Sequence, residues 1–342
     1  MEKKLKKLVV IDGNAIIHRS FHALPPLTTK KGELVNAVYG FASTLLSVIE
    51  KFQPDYILAT FDLAAPTFRH EEYKEYKATR VKAPDELYAQ ISRVKELVRA
   101  FNIPIYEKEG FEADDVIGTV VKQAENLDLG FEIENIIVTG DLDTLQLVSE
   151  KTKVFALRRG ITDTVLYDSA AVLERFGLRP DQMIDYKGLR GDASDNIPGV
   201  KGIGEKTATT LLQTYGTLEK VYENIAEIKG AVKDKLEKDK AQAFKSKWLA
   251  TIVKDAPVEL ELEKAVTHEF DRPTIVKLFQ ELNFFSLIKR LPQTDANPRM
   301  EFESTNKSEG VKDFKFELVG SEKLDEFVKT LSGAEEIAIS LK

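Results

Sequence analysis

The sequence predicts an α/β fold: a central, mostly parallel sheet with a helical second half. Three observations lead there. Short apolar runs rich in β-formers alternate with helically spaced segments through the first half. Beyond Ala170 the apolar runs give way to helical patterns punctuated by Gly and Pro. Near residue 292 a polar stretch without periodicity interrupts the chain.

Runs 8–11, 56–61, 103–106, 136–139 and 154–157 read as buried strands, because unbroken Val/Ile/Leu-rich segments suit a sheet covered on both faces. Segments 37–51, 84–101 and 113–127 read as helices. In 84–101 the apolar stripe is Leu87, Ile91, Val94, Leu97 and Val98, with Pro84 suited to a first turn. Segments 207–215, 218–225, 242–253 and 273–288 read as helices of a second, helical subdomain. The expected divisions are a core at 1–170, a helical subdomain at 171–291, a linker at 292–313 and a further α/β unit at 314–342. That last unit, with strands 315–319 and 336–341 around a helix capped by Ser321, is too short to bury a core alone. The chain therefore reads as truncated inside a further domain.

A chain of 342 residues suggests two or three domains at roughly 100–200 residues each. No apolar run approaches the roughly 18 residues a membrane span needs, so no membrane partner is expected. The basic start, residues 1–7, leads into an apolar stretch too short for a secretion signal. The absence of cysteine excludes disulfides and thiolate metal sites and fits a reducing cytoplasm. The net charge is −7; setting aside the nine acids discussed next leaves +2, so total charge does not decide for or against nucleic acid.

Those nine acids fall in five short clusters. Asp12 follows strand 8–11, and Asp62 follows strand 56–61. Asp141 and Asp143 follow strand 136–139 across Gly140, while Glu112, Asp114 and Asp115 open helix 113–127. Asp192 and Asp195 lie in a Gly-rich segment, GDASDN. Sites in open α/β sheets form beyond the carboxyl ends of the strands, so four clusters are expected on one rim. So many carboxylates need cations, and all-oxygen ligands suit Mg²⁺ or Mn²⁺. Two such ions fit metal-assisted phosphodiester hydrolysis, and no His or Cys sits in any cluster to suggest a nucleophile–base pair. Singly, each acid has an ordinary explanation as a turn or helix-start residue; the case rests on their co-occurrence.

Gly199, Lys201, Gly202, Gly204 and Lys206 form a glycine hairpin ahead of helix 207–215. Close backbone approach and a helix start make a phosphate cradle, although a plain interhelical turn explains the same residues. In 68–82, Arg69, Lys74, Lys77, Arg80 and Lys82 interleave with Tyr73 and Tyr76. That mixture suits single-stranded DNA through phosphate contacts and stacking, or else a solvated helix face.

In order, the motifs IDGNAIIHRSFHAL (11–24), TFDLAAPTFRHEEYKEYKATR (60–80), GFEADDVIGT (110–119), TGDLDTLQLV (139–148) and LRGDASDNIPGVKGIGEKTA (189–208) resemble the 5′ nuclease family found in bacterial DNA polymerase I, within the flap endonuclease superfamily. The resemblance covers residues 8–291 and implies a PIN-like nuclease core with a helix-hairpin-helix. It implies that Asp12, Asp62, Glu112, Asp114 and Asp115 serve one divalent ion, and Asp141, Asp143, Asp192 and Asp195 a second. It also implies a helical arch over 66–100, with Tyr76, Lys77 and Arg80 steering the strand and Arg19 a basic residue near the first aspartate. The hairpin would grip duplex DNA and bind K⁺ through backbone carbonyls. The tail, 316–342, resembles the start of a proofreading-exonuclease domain with Ser340 and Lys342 at its metal-pair positions, so that site would be lost.

The expected activity is structure-specific 5′→3′ exonuclease and flap endonuclease cleavage, in replication and repair, of DNA with 5′ flaps, nicks or RNA primers. The expected protein is a monomer in the cytoplasm, at the nucleoid. A non-catalytic DNA-binding module on the same scaffold is a second reading. A PIN-type ribonuclease is a third; the helical half with its hairpin argues against it.

Overall fold

The unbroken apolar run at residues 8–11 implies a strand buried on both faces, and the fold is organised around it. A computed structural model of the protein describes residues 4–267 and 270–292. Its α/β half comprises β1 (Leu5–Asp12), α1 (Gly13–Ala23), α2 (Asn36–Phe52), β2 (Tyr56–Thr60), α3 (Phe68–Glu72), α4 (Asp85–Ala100), β3 (Ile105–Tyr106), α5 (Ala113–Glu125), β4 (Glu132–Thr139), β5 (Thr152–Arg159) and β6 (Asp163–Tyr167). There follow α6 (Ser169–Phe176), α7 (Met183–Arg190), α8 (Glu205–Tyr215), α9 (Leu218–Glu223), α10 (Ala231–Lys238), α11 (Lys240–Ala250), α12 (Arg272–Glu281) and α13 (Phe285–Ile288).

The strands form one sheet in the order β3-β2-β1-β4-β5-β6. All pairings are parallel except β5 with β6. Register places Asp12 beside Thr60 and Ile11 beside Val138, so the carboxyl ends of β1, β2 and β4 finish level with one another. The expected parallel core is thus present; β6, an antiparallel edge strand with only Tyr167 buried, has no apolar run to announce it.

Because successive side chains alternate across a strand, β1 feeds two cores. Leu8 and Val10 pack with α5 and with the helical half, among them Leu189, Leu212, Val221 and Leu236. Val9 and Ile11 pack with α1, α2 and α4. Phe270, Ile275, Phe279, Phe284 and Leu287 join this second core. The helical division expected over 171–291 is therefore corrected: α12 and α13 belong to the α2–α4 side of the sheet, across from α7–α11. The single helix expected over 273–288 is broken, with Asn283 at φ +61°.

The expected arch is also corrected. α4 buries Leu87, Val94, Leu97 and Val98 in the core, so it is a wall rather than a span over the site. The short α3 and the turns that follow pack instead on the helical half, where Tyr76 is buried with Ile197, Leu249 and Ala250. The linker and the further α/β unit expected beyond residue 292, including Ser340 and Lys342, lie outside the described residues.

The placement of α12 predicts a large penalty for emptying it. Phe279 is fully buried, so Phe279→Ala should lose about 3–5 kcal/mol of unfolding free energy in a denaturant titration. A loss under about 1 kcal/mol would show that α12 is not part of the nuclease core.

Candidate active site

β1 ends at Asp12, and the same side chain caps α1: its Oδ1 accepts from the Ala15 N–H at 3.0 Å. Its Oδ2 accepts from the Thr139 hydroxyl at 2.6 Å, which ties the end of β1 to the end of β4. Just past β2, Asp62 accepts from the Ala113 N–H at the start of α5, at 2.7 Å, and donates its own N–H to Asn14 at 3.2 Å. Asp141 opens the 3₁₀ turn Leu142–Leu147, accepting from the Asp143 N–H. Glu112 and Asp114 flank the first residue of α5.

These segments enclose a cavity of about 640 Å³. Asp12, Asp62, Glu112, Asp114 and Asp141 line it together with Lys77, Arg80 and Arg19. Of the seven acids in the four clusters expected on one rim, five line this cavity; Asp115 and Asp143 do not. Arg19 donates to the carbonyls of Arg158 and Gly140, bracing the wall beside Asp141. His18 and His22, one turn apart on α1, also line the cavity, although no histidine sits in the acidic clusters of the sequence.

The acids divide into two groups by their partners. Among the described residues no Lys or Arg forms an ion pair with Asp12, Asp62, Asp114 or Asp141. Burial, reinforced by the charges of Asp62 and Asp141, pushes the Asp12 carboxyl up to about 7. Burial, with the neighbouring charges of Asp141, Asp12 and Asp143, pushes Asp114 well above the usual carboxylate range.

The other acids are matched by the chain's own cations. Arg69, buried, makes a two-pronged pair with Asp115 at 2.7 and 2.8 Å and reaches Glu112 at 3.4 Å. Lys77 Nζ lies 2.6 Å from Glu112 and 3.9 Å from Asp195, and Arg80 pairs with Asp195 at 2.5 Å. Lys187 of α7 joins Asp143 to Asp192. Burial pushes Asp143 up to about 7 in spite of that contact. Burial also opposes the charge of Asp192, yet Lys187 and Ser194 outweigh it and hold the group at about 2. Among the described residues no three His, Cys, Asp or Glu are arranged to enclose an ion in this state.

Four expectations need correction. Asp115 is fully buried and accepts from Arg69 and from the N–H groups of Glu112 and Val253, so it positions the start of α5 instead of facing the cavity. Tyr76 is 4% exposed and donates its hydroxyl toward Glu112 and Asp195, which leaves no face for base stacking. Lys77 and Arg80, expected on a helical arch, lie outside any helix. Lys77 sits in a turn at φ +56° with its N–H on the Asp195 carbonyl, and the turn brings both cations to the acids. Gly199 is buried; a Cβ there would meet the Gly191 nitrogen at 2.2 Å, and its own N–H and C=O are taken by Ser246 and Gln242. It is a packing glycine. Lys201, Gly202, Gly204 and Lys206 are exposed at the start of α8, on the helical half and not in the cavity.

Arg69, Lys187 and Thr139 were not singled out by sequence reasoning. Arg69 was counted within a basic run read as a single-strand contact or a solvated face, and no signal in the sequence marks it as the buried partner of Asp115. Lys187 stands four residues before GDASDN with no motif of its own.

A parallel α/β sheet whose carboxyl edge holds an acid-lined cavity, joined to a helical half with an exposed glycine hairpin, defines the 5′ nuclease class of folds. Comparison with known proteins agrees. A family model described as "5′-3′ exonuclease, N-terminal resolvase-like domain" matches residues 7–177, and "5′-3′ exonuclease, C-terminal SAM fold" matches 178–273. DNA polymerase I of Bacillus subtilis (strain 168) is 46% identical over 297 residues, covering 86% of this chain and 33% of that protein. DNA polymerase I of Caldicellulosiruptor bescii is 47% identical over 287 residues, covering 83% and 33%. The chain spans about a third of the length of these curated relatives. T5 5′-exonuclease, solved with divalent metal ions (zinc) bound, superposes with a TM-score of 0.60 at 22% identity, covering 72% of this chain and 89% of that one. Flap endonuclease-1 from Methanococcus jannaschii gives 0.53 at 19% identity, covering 84% and 90%. The chain belongs to the 5′-3′ exonuclease family.

The raised Asp12 carboxyl makes a pH prediction. In the unfolded chain it titrates at its ordinary 3.8 and in the native state at about 7, so between those values the native state holds an extra proton. Stability is then present at low pH and falls as pH rises through 7. The metal-free protein should melt at a lower temperature at pH 8 than at pH 6, and Asp12→Asn should reduce that difference. Equal slopes for the two proteins by calorimetry would contradict the assignment.

Proposed function

We propose that the chain is a divalent-metal-dependent 5′ nuclease, the N-terminal part of a DNA polymerase I, that hydrolyses phosphodiesters at 5′ flaps and nicks in DNA and in RNA primers during replication and repair. The observation that carries this reading is the convergence of Asp12, Asp62, Glu112, Asp114 and Asp141 on one cavity with Lys77 and Arg80 at its wall.

The donor set fits the metals. Every candidate ligand is a carboxylate, which suits Mg²⁺ or Mn²⁺, and the mutual repulsion that raises Asp12 and Asp114 is what a cation would relieve. Asp12, Asp62, Glu112 and Asp114 would hold one ion, and Asp141, Asp143, Asp192 and Asp195 the other, with Asp115 supporting Glu112 from below. Two bound ions would activate a water and offset charge on the leaving oxygen.

The chain's own residues supply the rest. Lys77 and Arg80 are cations on flexible stems at the cavity wall; turned from Glu112 and Asp195, they meet the phosphate about to be cut and counter its repulsion from the acids. Arg19 keeps the wall beside Asp141 in place. Lys201, Gly202, Gly204 and Lys206 present amides and ammonium groups to duplex phosphates without reading sequence. The Gly202 carbonyl accepts from Lys235 at 3.0 Å, so K⁺ at this hairpin would take the place of that ammonium. We place the protein as a monomer at the nucleoid; among the described residues no helix is long and apolar enough to cross a membrane. A non-catalytic DNA-binding module is less consistent with the site, because idle carboxylates beside phosphates only weaken binding.

The test is single-turnover cleavage of a 5′-labelled flap duplex with Mg²⁺ or EDTA. Cutting at the junction should require Mg²⁺. Lys77→Ala combined with Arg80→Ala should slow it at least roughly tenfold, about 1.4 kcal/mol of barrier, with a smaller effect on binding. Full cleavage in EDTA would remove the metal reading, and an unchanged rate in the double variant would remove the steering role.

A further inference from the structure

Asp143 and Asp192 reach each other from separate segments, one on the 3₁₀ turn after β4 and the other on the loop after α7. What joins them is Lys187. Its Nζ touches Asp143 and lies 2.6 Å from Asp192, and its side chain is only 14% exposed. The Lys187 carbonyl accepts from the Gly191 N–H at 2.8 Å, so the backbone is fixed by the helix end while the four-carbon stem carries the charge inward. By contrast, Asp12, Asp62, Asp114 and Asp141 have no Lys or Arg ion pair among the described residues. Asp12, Asp62 and Asp114, three of the first ion's ligands, thus pair with no internal cation among the described residues, whereas Asp143 and Asp192 of the second share one.

We propose that Lys187 is a built-in counter-ion at the second ion's carboxylates, and that a divalent ion enters there only by displacing its ammonium. This rests on the two-ion reading above. It makes the halves unequal: an ion at Asp12, Asp62 and Asp114 meets carboxylates with no ion pair and competes with Lys77 and Arg69 only at Glu112, whereas an ion at Asp143 and Asp192 must exchange with an ammonium that touches both. Loss of one partner from such a pair without replacement is costly, because it leaves two largely buried carboxylates unmatched. Lys187 is thus a positioning residue that keeps the second ligand pair assembled when no ion is present, at the expense of second-ion affinity.

The test is a Mn²⁺ titration of the intact chain, read as free Mn²⁺ by electron paramagnetic resonance, for wild type, Lys187→Met and Lys187→Arg. Wild type should show one tight and one weak class. Lys187→Met should tighten the weak class by roughly tenfold or more and leave the tight class unchanged, as removal of a competing charge requires. Lys187→Arg, which keeps the charge, should leave the weak class weak. A weak class in Lys187→Met no tighter than wild type overturns the proposal. Binding of fewer than two Mn²⁺ by all three proteins would instead take down the two-ion reading, and this proposal with it. Thermal melts guard against a folding artefact: Mn²⁺ should raise the melting temperature of Lys187→Met more than that of wild type. An equal or smaller rise would assign Lys187 a purely structural role.

Discussion

Like charges crowded beyond one sheet edge set the terms for much of this structure. The parallel register levels the ends of β1, β2 and β4, and each end delivers an aspartate to the same place. Carboxylates so placed repel one another, and the protein answers in two ways. Asp12 and Asp114 take up protons more readily than usual. Around them, Arg69, Lys77, Arg80 and Lys187 supply internal positive charge. The second answer explains local structure that the backbone alone does not. Arg69 is buried because Asp115 needs its guanidinium, and residues 76–80 fold down against 194–196 because Lys77 and Arg80 bond there through both main chain and side chain.

Sequence reading succeeded where one-dimensional pattern and topology coincide. Unbroken apolar runs mark β1, β2, β4 and β5, and an acid one or two residues past such a run in a parallel sheet must lie at the carboxyl edge. Asp12, Asp62 and Asp141 were legible for that reason. Asp115 was not. It stands beside Asp114 in sequence, yet the helix turns adjacent side chains about 100° apart, so one faces the cavity and the other faces Arg69 in the interior. Tyr76 and Gly199 failed in the same manner: aromatic and glycine residues serve packing as readily as ligand binding, and only burial distinguishes the two. Lys187 was invisible because its partners lie 44 and 5 residues away and no motif links them.

The two flanks of the sheet divide the labour. On one, α7–α11 pack over α5 and carry the exposed hairpin of Gly202 and Gly204, outside the cavity. On the other, α12 and α13 return to close the core around α2 and α4. The chain leaves the sheet for a helical half and then comes back to complete the second core, so Phe279 belongs to the same framework as Ile11. Asp12, Asp62 and Asp141 sit at or just beyond strand ends, while two of the counter-charges, Lys77 and Arg80, sit on turns. In our reading that combination lets cations exchange without the ligands losing their places.

The central claim is that the strand-end carboxylates work as ligands rather than as surface charge, and Asp141→Asn tests it most directly. Asp141 lines the cavity, carries no ion pair among the described residues, and caps a turn that asparagine also caps. Flap-duplex binding and single-turnover cleavage should be measured on the same preparation in Mg²⁺. Binding retained or strengthened, with cleavage reduced by about a hundredfold or more, is the expected result, since a lost ligand acts on the barrier while one fewer negative charge favours phosphate. Cleavage at the wild-type rate by the folded variant would contradict the account.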